Sequence, residues 1–469
     1  MLYKRRNKSA SSSTGLLRTS ISLLLGSSLV NAGLPQLNLD DDNSIKSVAS
    51  RVAYDMMTYY TGNRTGDVPG NLPQPYYWWE AGAMMGTLID YYYYTGDGSY
   101  NDLVVQGMLH QMGPNKDFMT PNQTKTTGND DQGFWGMAAM SAAEQKFPDP
   151  PGTDNPGWLE LAQAVFNTQA YRWDEQYCGG GLRWQVFTFN NGYDYKNTIS
   201  NGCFFNIASR LAVYTNNQTY ADWANKVYDW TAASGFMTPD YHFYDGAHTT
   251  LNCSDINKVQ WSYNVGVYLL GAANMYNYTN GNDTWKSRVL GMLNGTNLFF
   301  YPPDNTVMYE VACEGHGTCN TDNYSFKAYL SRWLAASTKY APFMRDLVMP
   351  KLRASAQAAV SQCTGGDSGT KCGMIWTGNG KYDGSQGVGQ QMGVLEIVQG
   401  NLIDGSADPA TNKSGGTSKG NPGAGGDGSG GNNPILAQDT IKTSDRAGAG
   451  ILTTIVLLWV IGGLWWMMI

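Results

Sequence analysis

The chain has 469 residues, 42% of them hydrophobic, so it can bury a core in one large domain or in two to three domains of average size. Charged residues make up 15%, aromatic residues 13%, and the formal net charge is −7. This composition excludes nucleic acid as the expected partner, because phosphate binding needs clustered Lys and Arg. A nearly neutral surface rich in Tyr and Trp instead suits carbohydrate, which stacks on rings and forms hydrogen bonds.

Both ends of the chain carry segments typical of targeting. Residues 1–32 combine a basic start, a short apolar run and a small-residue cleavage site, which is typical of a removed signal peptide. The stretch 406–445, rich in Gly, Ser and Asn, is predicted to be a flexible stalk. Residues 446–469 end in an apolar run with no basic residue after it, which indicates a removed GPI-attachment signal; a retained membrane span is the alternative. We therefore expect a secreted protein held by a GPI anchor at the outer face of the plasma membrane.

The cysteines and sequons agree with secretion. Nine Asn-X-Ser/Thr sequons follow residue 32. All seven cysteines lie between residues 178 and 372, and their odd number leaves at least one unpaired. Close spacing makes Cys313–Cys319 and Cys363–Cys372 plausible disulfides, while the full connectivity stays open. No Cys/His spacing resembles a zinc site, so neither a metal nor another cofactor is expected.

Twelve helices of two alternating kinds are predicted between residues 40 and 405. Segments with a single apolar stripe are expected to lie outside, and segments that are apolar on nearly all sides are expected to be buried. The outer set is 44–60, 100–112, 157–171, 219–234, 283–299 and 344–362, and the inner set is 78–94, 130–147, 200–214, 261–278, 324–339 and 386–400. This alternation predicts an all-α fold, an (α/α)6 barrel with six inner and six outer helices, in one domain over residues 33–405. Short hairpins near 179–190 and 306–311 are also considered.

The inner helices share a second feature, since each begins with polar or aromatic residues before a body of small residues. In a barrel of parallel inner helices these six starts meet at one mouth. Trp, Tyr and Gln are poor helix caps, so capping does not explain the set. The candidate binding residues are Trp78, Trp79, Asn129, Trp135, Asn201, Asp245, Trp261, Tyr263, Asn264, Lys327, Gln386 and Gln390. For each Trp the alternative is core packing; for Lys327 the alternatives are a substrate phosphate and a surface salt bridge.

One of these starts, TGNDDQGFWG at 127–136, carries two adjacent acids. Asn129 is predicted to be the N-cap, which places Asp130 and Asp131 in the first turn, beside unpaired N–H groups and the positive end of the helix dipole. Consecutive helical side chains diverge by about 100°, so two carboxylates in a cleft can serve one substrate from two sides. Helix capping is the alternative role of this pair.

Over residues 40–405 the chain resembles glycoside hydrolase family 76, the endo-α-1,6-mannanases, and most of all its fungal, GPI-anchored cell-wall branch of defective-cell-wall and filamentous-growth type. The motifs that carry the resemblance are TGNDDQGFWG at 127–136, YYWWEAGAMMGTLIDYYYYTGD at 76–97, CGGGLRWQ at 178–185, SNGCFFNIASRLA at 200–212, WSYNVGVYLLGAA at 261–273 and GVGQQMGVLEIVQ at 387–399. The resemblance implies an (α/α)6 barrel and a retaining double displacement. It also implies that Asp130 is the nucleophile and Asp131 the acid/base.

The resemblance further implies the substrates. The donor would be an α-mannoside, in particular the mannose core of a GPI glycan, and the acceptor would be wall glucan or mannan. The expected activity is that of a transglycosidase that passes GPI-linked wall proteins to wall glucan. A hydrolytic endo-α-1,6-mannanase acting on wall mannan is one alternative, and a non-catalytic mannan-binding protein is another. The intact Asp130/Asp131 pair argues against the last.

Overall fold

The computed structural model describes residues 33–426 and, further on, residues 453, 454 and 456–458. The predicted signal peptide at 1–32 lies outside the described residues, as does nearly all of the predicted attachment signal at 446–469. Within the described residues there is no helix with the length and apolar character needed to cross a membrane.

All twelve predicted helices are present. They are α1 (Asp42–Met57), α2 (Trp78–Thr95), α3 (Asn101–Gln111), α4 (Asn129–Glu144), α5 (Trp158–Tyr171), α6 (Thr198–Thr215), α7 (Gln218–Ala233), α8 (Ser262–Tyr278), α9 (Asp283–Gly295), α10 (Phe326–Tyr340), α11 (Arg345–Ser361) and α12 (Val388–Gln399). Short 3-10 turns occupy Pro121–Gln123, Thr249–Leu251, Thr296–Phe299, Glu314–His316, Asn323–Ser325, Pro342–Met344 and Gly400–Gly405. The predicted cap of α4 is off by one residue, because Gly128 is the N-cap and Asn129 is the first helical residue.

The even-numbered helices form a closed inner ring. Each contacts the next even-numbered helix, and α12 contacts α2, while the odd-numbered helices pack against the outside of this ring. Small residues allow the inner helices to approach closely. A Cβ on Gly133 of α4 would lie 2.5 Å from Cβ of Cys203 in α6, so this crossing requires glycine. The prediction of an all-α (α/α)6 barrel is confirmed.

A small antiparallel sheet lies beside the start of α6. Its strands are β1 (Tyr195–Asn197), β2 (Gly246–His248) and β3 (Ile256–Asn257), in the order β1–β2–β3. The hairpin considered near 179–190 is not formed, because Gln185 pairs with Gly128 in an isolated bridge. Near 306–311 a short antiparallel pairing is present, in which Met308 pairs with Phe300 and the N–H of Tyr301 donates to the carbonyl of Val307 (2.8 Å). The backbone of the first stretch therefore pairs with the start of α4 rather than with itself.

Three disulfides brace the loops. Cys313–Cys319 and Cys363–Cys372 are present as predicted, and Cys178–Cys253 joins the loop before β1 to the loop between β2 and β3. Cys203 is buried and is the unpaired one of the seven cysteines, all of which lie in the described part of the chain.

The predicted stalk begins on the barrel itself. Residues 406–426, here called the C-terminal strap, run along α4, α6 and α5. The N–H of Ala410 donates to the backbone carbonyl of Glu144 (2.6 Å), and the N–H of Asn412 donates to the backbone carbonyl of Tyr214 (3.0 Å). Oγ of Ser418 accepts the N–H of Leu159 (2.9 Å). Residues 406–426 of the predicted stalk are therefore packed on the barrel, and residues 427–445 of the stalk lie outside the described residues. Composition shows too few apolar side chains for a core, but this strap is held by backbone and hydroxyl hydrogen bonds.

Candidate active site

One pocket of about 610 Å³ opens where the inner helices begin. Five of the six inner helices contribute residues from their first turns or caps, and the loop that leads into β1 forms a further wall. The lining residues are Tyr77, Trp78, Trp79, Lys125, Thr126, Asp130, Asp131, Phe134, Trp184, Gln185, Asn190, Asn191, Tyr195, Asn197, Ile199, Asp245, Tyr263, Asp322 and Phe326. The pocket is thus walled by aromatic rings, amides and four carboxyl groups.

Asp130 is held as an oriented carboxylate. It is only 8% exposed; its Oδ1 accepts the N–H of Asp131 (2.9 Å) and its Oδ2 accepts Nδ2 of Asn197 (2.9 Å). Asn197 is the N-cap of α6, and its Oδ1 accepts the N–H of Ser200 (3.3 Å), which fixes the orientation of its amide. Burial raises the pKa of Asp130 to about 6, and the hydrogen bonds from Asn197 and from the N–H of Asp131 pull it down.

Asp131 is held differently. Its Oδ2 accepts the N–H of Gly128 (2.5 Å), so its side chain caps the first turn of α4. Burial and then the charge of Asp130 raise the pKa of Asp131 well above its usual range, and the charge of Asp322 adds to this. The two acids titrate as a pair in which one is ionised while the other keeps its proton. Environments that push the pKa values of two carboxyl groups apart in this way suit one group to a base or nucleophile and the other to an acid.

The two carboxyl groups lie close together. An ideal Cβ placed on Gly128 would overlap Oδ1 of Asp130 and lie 3.1 Å from Oδ2 of Asp131. Both oxygens therefore lie close to one point beside Gly128. The separation between Oδ1 of Asp130 and Oδ2 of Asp131 is thus within the ~5.5 Å between the carboxyl groups of retaining glycosidases and below the ~6.5–9.5 Å of inverting ones.

Two of the predicted binding residues, Trp78 and Trp79 of α2, line the pocket. Trp79 packs against Phe134, with ring centroids 4.8 Å apart, and its Nε1 donates to Oδ1 of Asp322 (3.1 Å). Trp78 is half-buried, and its Nε1 donates to Oε1 of Gln111 (2.8 Å). Both rings are thus fixed by an indole hydrogen bond, which suits a rigid platform for a sugar.

Two more of the predicted binding residues, Asp245 and Tyr263, also line the pocket. The ring of Tyr263 stacks on Phe326 with a centroid distance of 4.0 Å. Oδ2 of Asp245 accepts the hydroxyl of Tyr195 (2.7 Å). Burial raises the pKa of Asp245, and hydrogen bonds from Tyr195 and Trp261 lower it.

Three predicted binding residues support the pocket from behind instead of lining it. Nδ2 of Asn129 donates to the carbonyl of Arg183 (2.8 Å), and Asn201 both accepts from and donates to the backbone of Leu182 (2.8 and 3.1 Å). These two amides fasten the loop before β1 to α4 and α6. Trp135 is fully buried between two other rings, so the alternative of core packing holds for it.

Lys327 does not face the pocket. Its side chain is buried, and its Nζ donates to Oε1 of Glu314 (2.7 Å) and to the carbonyl of Met374. Both sequence alternatives, a phosphate contact and a surface salt bridge, are replaced by a buried ion pair. The sequence could not show this, because Glu314 lies outside any helix of the ring.

Four further candidates, Trp261, Asn264, Gln386 and Gln390, are not among the lining residues. The start of α12 packs closely against the turn before α10 and against Tyr76. A Cβ on Gly389 would lie 2.9 Å from the backbone N of Ser325, and the N–H of Val388 donates to the hydroxyl of Tyr76 (3.3 Å). Gln386 is exposed, and Gln390 is buried.

Sequence reasoning missed several lining residues. Asn197 was overlooked because α6 was predicted to begin near residue 200; the N-cap pattern of Asn197 and Ser200 was the available signal. Asp322 lies just before the predicted helix 324–339 and is not among the predicted candidates, and Trp184 lies in a loop without periodicity. Lys125 is the only Lys or Arg among the described lining residues. In the part of the chain that the structure describes, no group of three or more His, Cys, Asp or Glu is arranged to hold a metal ion.

A closed ring of α-helices that presents two adjacent, unequal carboxyl groups in an aromatic pocket has the form of a glycoside hydrolase site. The sequence model of glycosyl hydrolase family 76 matches residues 44–413, and the chain belongs to this family. The family resemblance found in the sequence is thereby confirmed.

The relatives include fungal proteins that align with this chain over almost their whole length. Mannan endo-1,6-alpha-mannosidase DCW1 of Candida glabrata is 45% identical over 445 residues, which is 94% of this chain and 97% of the relative. Mannan endo-1,6-alpha-mannosidase DFG5 of Saccharomyces cerevisiae is 43% identical over 434 residues, which is 92% of this chain and 94% of the relative.

Solved structures show the same fold. The crystal structure of Dfg5 from Chaetomium thermophilum in complex with glucosamine has a TM-score of 0.79 and 50% identity, and the match covers 83% of this chain and 97% of that one. The α-1,6-mannanase of Salegentibacter sp. HEL1_6 has a TM-score of 0.61 and 18% identity, covering 76% of this chain and 99% of that one.

Proposed function

We propose that this glycoside hydrolase cleaves α-1,6-mannosidic linkages by a retaining double displacement and transfers the cleaved glycan to a second sugar. The observation that carries the proposal is the pair Asp130 and Asp131, adjacent in one helical turn, close together and held by different hydrogen-bond partners. The names of the relatives, mannan endo-1,6-alpha-mannosidases, support the choice of mannoside.

In the first step, a carboxylate oxygen of Asp130 attacks the anomeric carbon of the bound mannose. The bond to the leaving oxygen breaks, and Asp131 gives its proton to that oxygen. The product is a mannosyl ester on Asp130 and an ionised Asp131. The raised pKa of Asp131 suits it to carry this proton, while the hydrogen bonds to Asp130 favour its ionised form.

In the second step, Asp131 removes the proton from a hydroxyl group of the acceptor. The acceptor oxygen then attacks the anomeric carbon and displaces Asp130, which restores both acids to their first state and retains the configuration. The acceptor is a sugar in transfer and water in hydrolysis. The chemistry at the two acids is the same in both cases.

The proposed donor is the mannose core of a GPI glycan, and the proposed acceptor is wall glucan or mannan. The chain would reach both at the outer face of the plasma membrane, through the secretion and GPI-attachment signals at its ends. Three disulfides support an oxidising compartment. Release of the cell-associated protein by a GPI-specific phospholipase tests the anchor, and retention together with a detectable 451–469 peptide would show a membrane span instead.

A hydrolytic endo-α-1,6-mannanase is the second candidate, and the activity in the names of the relatives favours it. Purified ectodomain is incubated with an α-1,6-mannooligosaccharide or a GPI glycan as donor and a fluorescently labelled glucan oligosaccharide as acceptor. Labelled products longer than the acceptor establish transfer. Shortened donor without labelled product establishes hydrolysis, and unchanged donor supports a binding protein. The Asp130→Asn variant is the matched inactive control.

A further inference from the structure

Lys196 is a fully buried cation that the proposed chemistry does not use. It lies in the middle of β1, and its side chain is 0% exposed. Its Nζ donates to the backbone carbonyls of Asp174 (2.8 Å), Tyr177 (2.7 Å) and Gly180 (2.7 Å). The carboxylate of Asp174 lies 3.4 Å from the same nitrogen. An ammonium group has three donors and no acceptor, so the three carbonyls match it fully.

The neighbours of Lys196 face the other way. Successive side chains of a strand point to opposite sides. Tyr195 and Asn197 both line the pocket, where the hydroxyl of Tyr195 donates to Asp245 and the amide of Asn197 donates to Asp130. Lys196 therefore anchors the back of the strand whose front holds two pocket carboxyl groups.

The loop that receives the ammonium group is itself fixed. Cys178 is bonded to Cys253, and Nε1 of Trp230 donates to the carbonyl of Cys178 (2.9 Å). A Cβ on Gly180 would lie 2.8 Å from the ring of Trp173, so this loop sits tightly on the barrel. Lys196 thus connects β1 to a rigid support.

We propose that Lys196 is a positioning residue for the nucleophile: it fixes β1 against the loop 174–180 so that Asn197 holds the carboxylate of Asp130 in line for attack. The inference rests on the role proposed above for Asp130. Lys196 touches neither substrate nor reacting atoms, and it acts through Asn197. A neutral side chain at position 196 leaves three buried carbonyls without donors. Because unpaired buried carbonyls are costly, β1 and the loop 174–180 then move apart until water reaches these carbonyls.

The test is a double-mutant cycle between Lys196→Met and Asn197→Ser. Met has a similar length but no donor, and Ser keeps the helix cap of α6 while it is too short to reach Asp130. Each single variant is expected to lower the rate of glycosyl-enzyme formation from an activated mannosyl donor by about 10- to 100-fold, because misplacing a reacting group by about 1 Å has effects of this size. In the Asn197→Ser background, Lys196→Met is expected to add less than about threefold, since residues that act as one unit are not additive.

A second readout separates positioning from general weakening of the fold. Loss of the bond from Asn197 raises the pKa of Asp130, so both variants move the acid limb of the pH–rate profile to higher pH. The other titratable groups around Asp130 are Asp131, Cys203 and Tyr263, and none is altered in either variant. The matched control is Lys226→Met, a partly exposed lysine that pairs with Glu175 in the same loop, and it is expected to leave rate and pH profile unchanged.

Three outcomes overturn the inference. The first is a rate for Lys196→Met within twofold of wild type. The second is an acid limb of its pH–rate profile that does not move. The third is a rate of the double variant that equals the product of the two single effects. If Lys196→Met does not fold, Asp174→Asn removes the carboxylate beside the ammonium group and is expected to move the acid limb in the same direction. Because Asp174 also pairs with Arg183 (2.8 Å), Arg183→Met is measured beside it, and an equal shift in Arg183→Met contradicts the inference. An active Asp130→Asn variant instead overturns the proposed function, so the two failures are distinguishable.

Discussion

Oδ2 of Asp131 accepts the backbone N–H of Gly128 over 2.5 Å, so the proposed acid/base also caps the helix that carries it. Helix capping and the proposed catalytic role, which are alternatives in the sequence, are therefore compatible in one carboxyl group. The same contact places the Cα of Gly128 beside both carboxyl groups. A glycine is required there because of space rather than backbone angle, since its φ is −92°.

Replacing Gly128 with Ala is expected to damage catalysis more than stability. The added Cβ would overlap Oδ1 of Asp130 and lie 3.0 Å from the carbonyl of Trp184, so the carboxyl group must turn away. We expect kcat to fall by about 10- to 100-fold, an effect typical of a misplaced reacting group. Steady-state kinetics and thermal unfolding of the same preparation measure both effects.

The matched control for this substitution is Gly315→Ala. A Cβ on Gly315 meets no atom within 4 Å, so activity and Tm are expected to stay at the wild-type values. Wild-type kcat in the Gly128→Ala variant would show that the Asp130 carboxyl group tolerates displacement and that the geometry described here is not needed for catalysis.

Trp79 and Trp135 should separate binding from stability. Trp79→Phe keeps a ring in the pocket but removes the donor to Asp322, so KM is expected to rise several-fold with little change in Tm. Trp135→Phe shrinks a fully buried ring and is expected to lower Tm while KM stays unchanged. Parallel kinetics and melting curves measure the two variants, and an effect of Trp135→Phe on KM alone would contradict the assignment of this ring to the core.

The helical ring was predictable because burial leaves a strong mark on sequence. A helix buried on all sides is apolar all round, and an outer helix carries one stripe, so the order of inner and outer helices follows from composition and period alone. The acids of the site were predictable for a related reason. Asp130 and Asp131 stand where a helix begins, and a polar doublet in front of an apolar body is conspicuous.

Pairwise contacts between distant segments were not predictable. Trp79 and Asp322 are 243 residues apart, and Lys327 and Glu314 come together only through a loop that has no periodicity. Asn129 and Asn201 have the composition of sugar-binding amides, yet each binds the backbone of the loop before β1. An amide serves a ligand or a loop equally well, so its role depends on tertiary structure.

Ser418 of the C-terminal strap should contribute to stability and not to activity. The N-cap of α5 is Gly157, which has no side chain, and Oγ of Ser418 accepts the N–H of Leu159 in its place. Ser418→Ala is expected to lower the free energy of unfolding by about 0.5–2 kcal/mol, as for other lost caps. Denaturant titration measures this, with exposed Thr417→Ala as the control. Equal stabilities of the two variants would show that the strap does not cap α5.

Because the carboxyl group of Glu80 is buried, we expect the stability of the folded protein to fall as pH rises. Burial raises the pKa of Glu80 to about 8, the charge of Asp322 adds to this, and Oε1 of Glu80 has no hydrogen-bond partner among the described residues. Because the folded state binds this proton more tightly than the unfolded state, whose pKa is about 4.3, the stabilisation is full below pH ~4.3 and is lost as pH rises through 8. Tm is therefore expected to fall between pH 5 and about 8.

Glu80→Gln isolates this effect, because its side chain has the same shape and stays neutral at every pH. Its Tm is expected to fall less steeply with pH than that of the wild type. Glu175→Gln, at a 70% exposed side chain, is the control and should keep the wild-type slope. Identical slopes for wild type and Glu80→Gln would mean that Glu80 is not protonated in the folded protein.

The roles of Asp130 and Asp131 separate with an activated donor. Asp130→Asn removes the nucleophile and keeps the shape, so the protein should fold while transfer falls by orders of magnitude. Asp131→Asn should also be inactive on natural donors, whose leaving sugar needs a proton. With a leaving group that departs unprotonated, however, the first step no longer needs the acid, so Asp131→Asn should still load Asp130. The mannosyl ester should then persist, because no base activates the acceptor. Mass spectrometry of peptides from the Asp131→Asn protein looks for the adduct on Asp130; an adduct on another residue reverses the assignment, and full activity of both variants reduces the doublet to a helix cap.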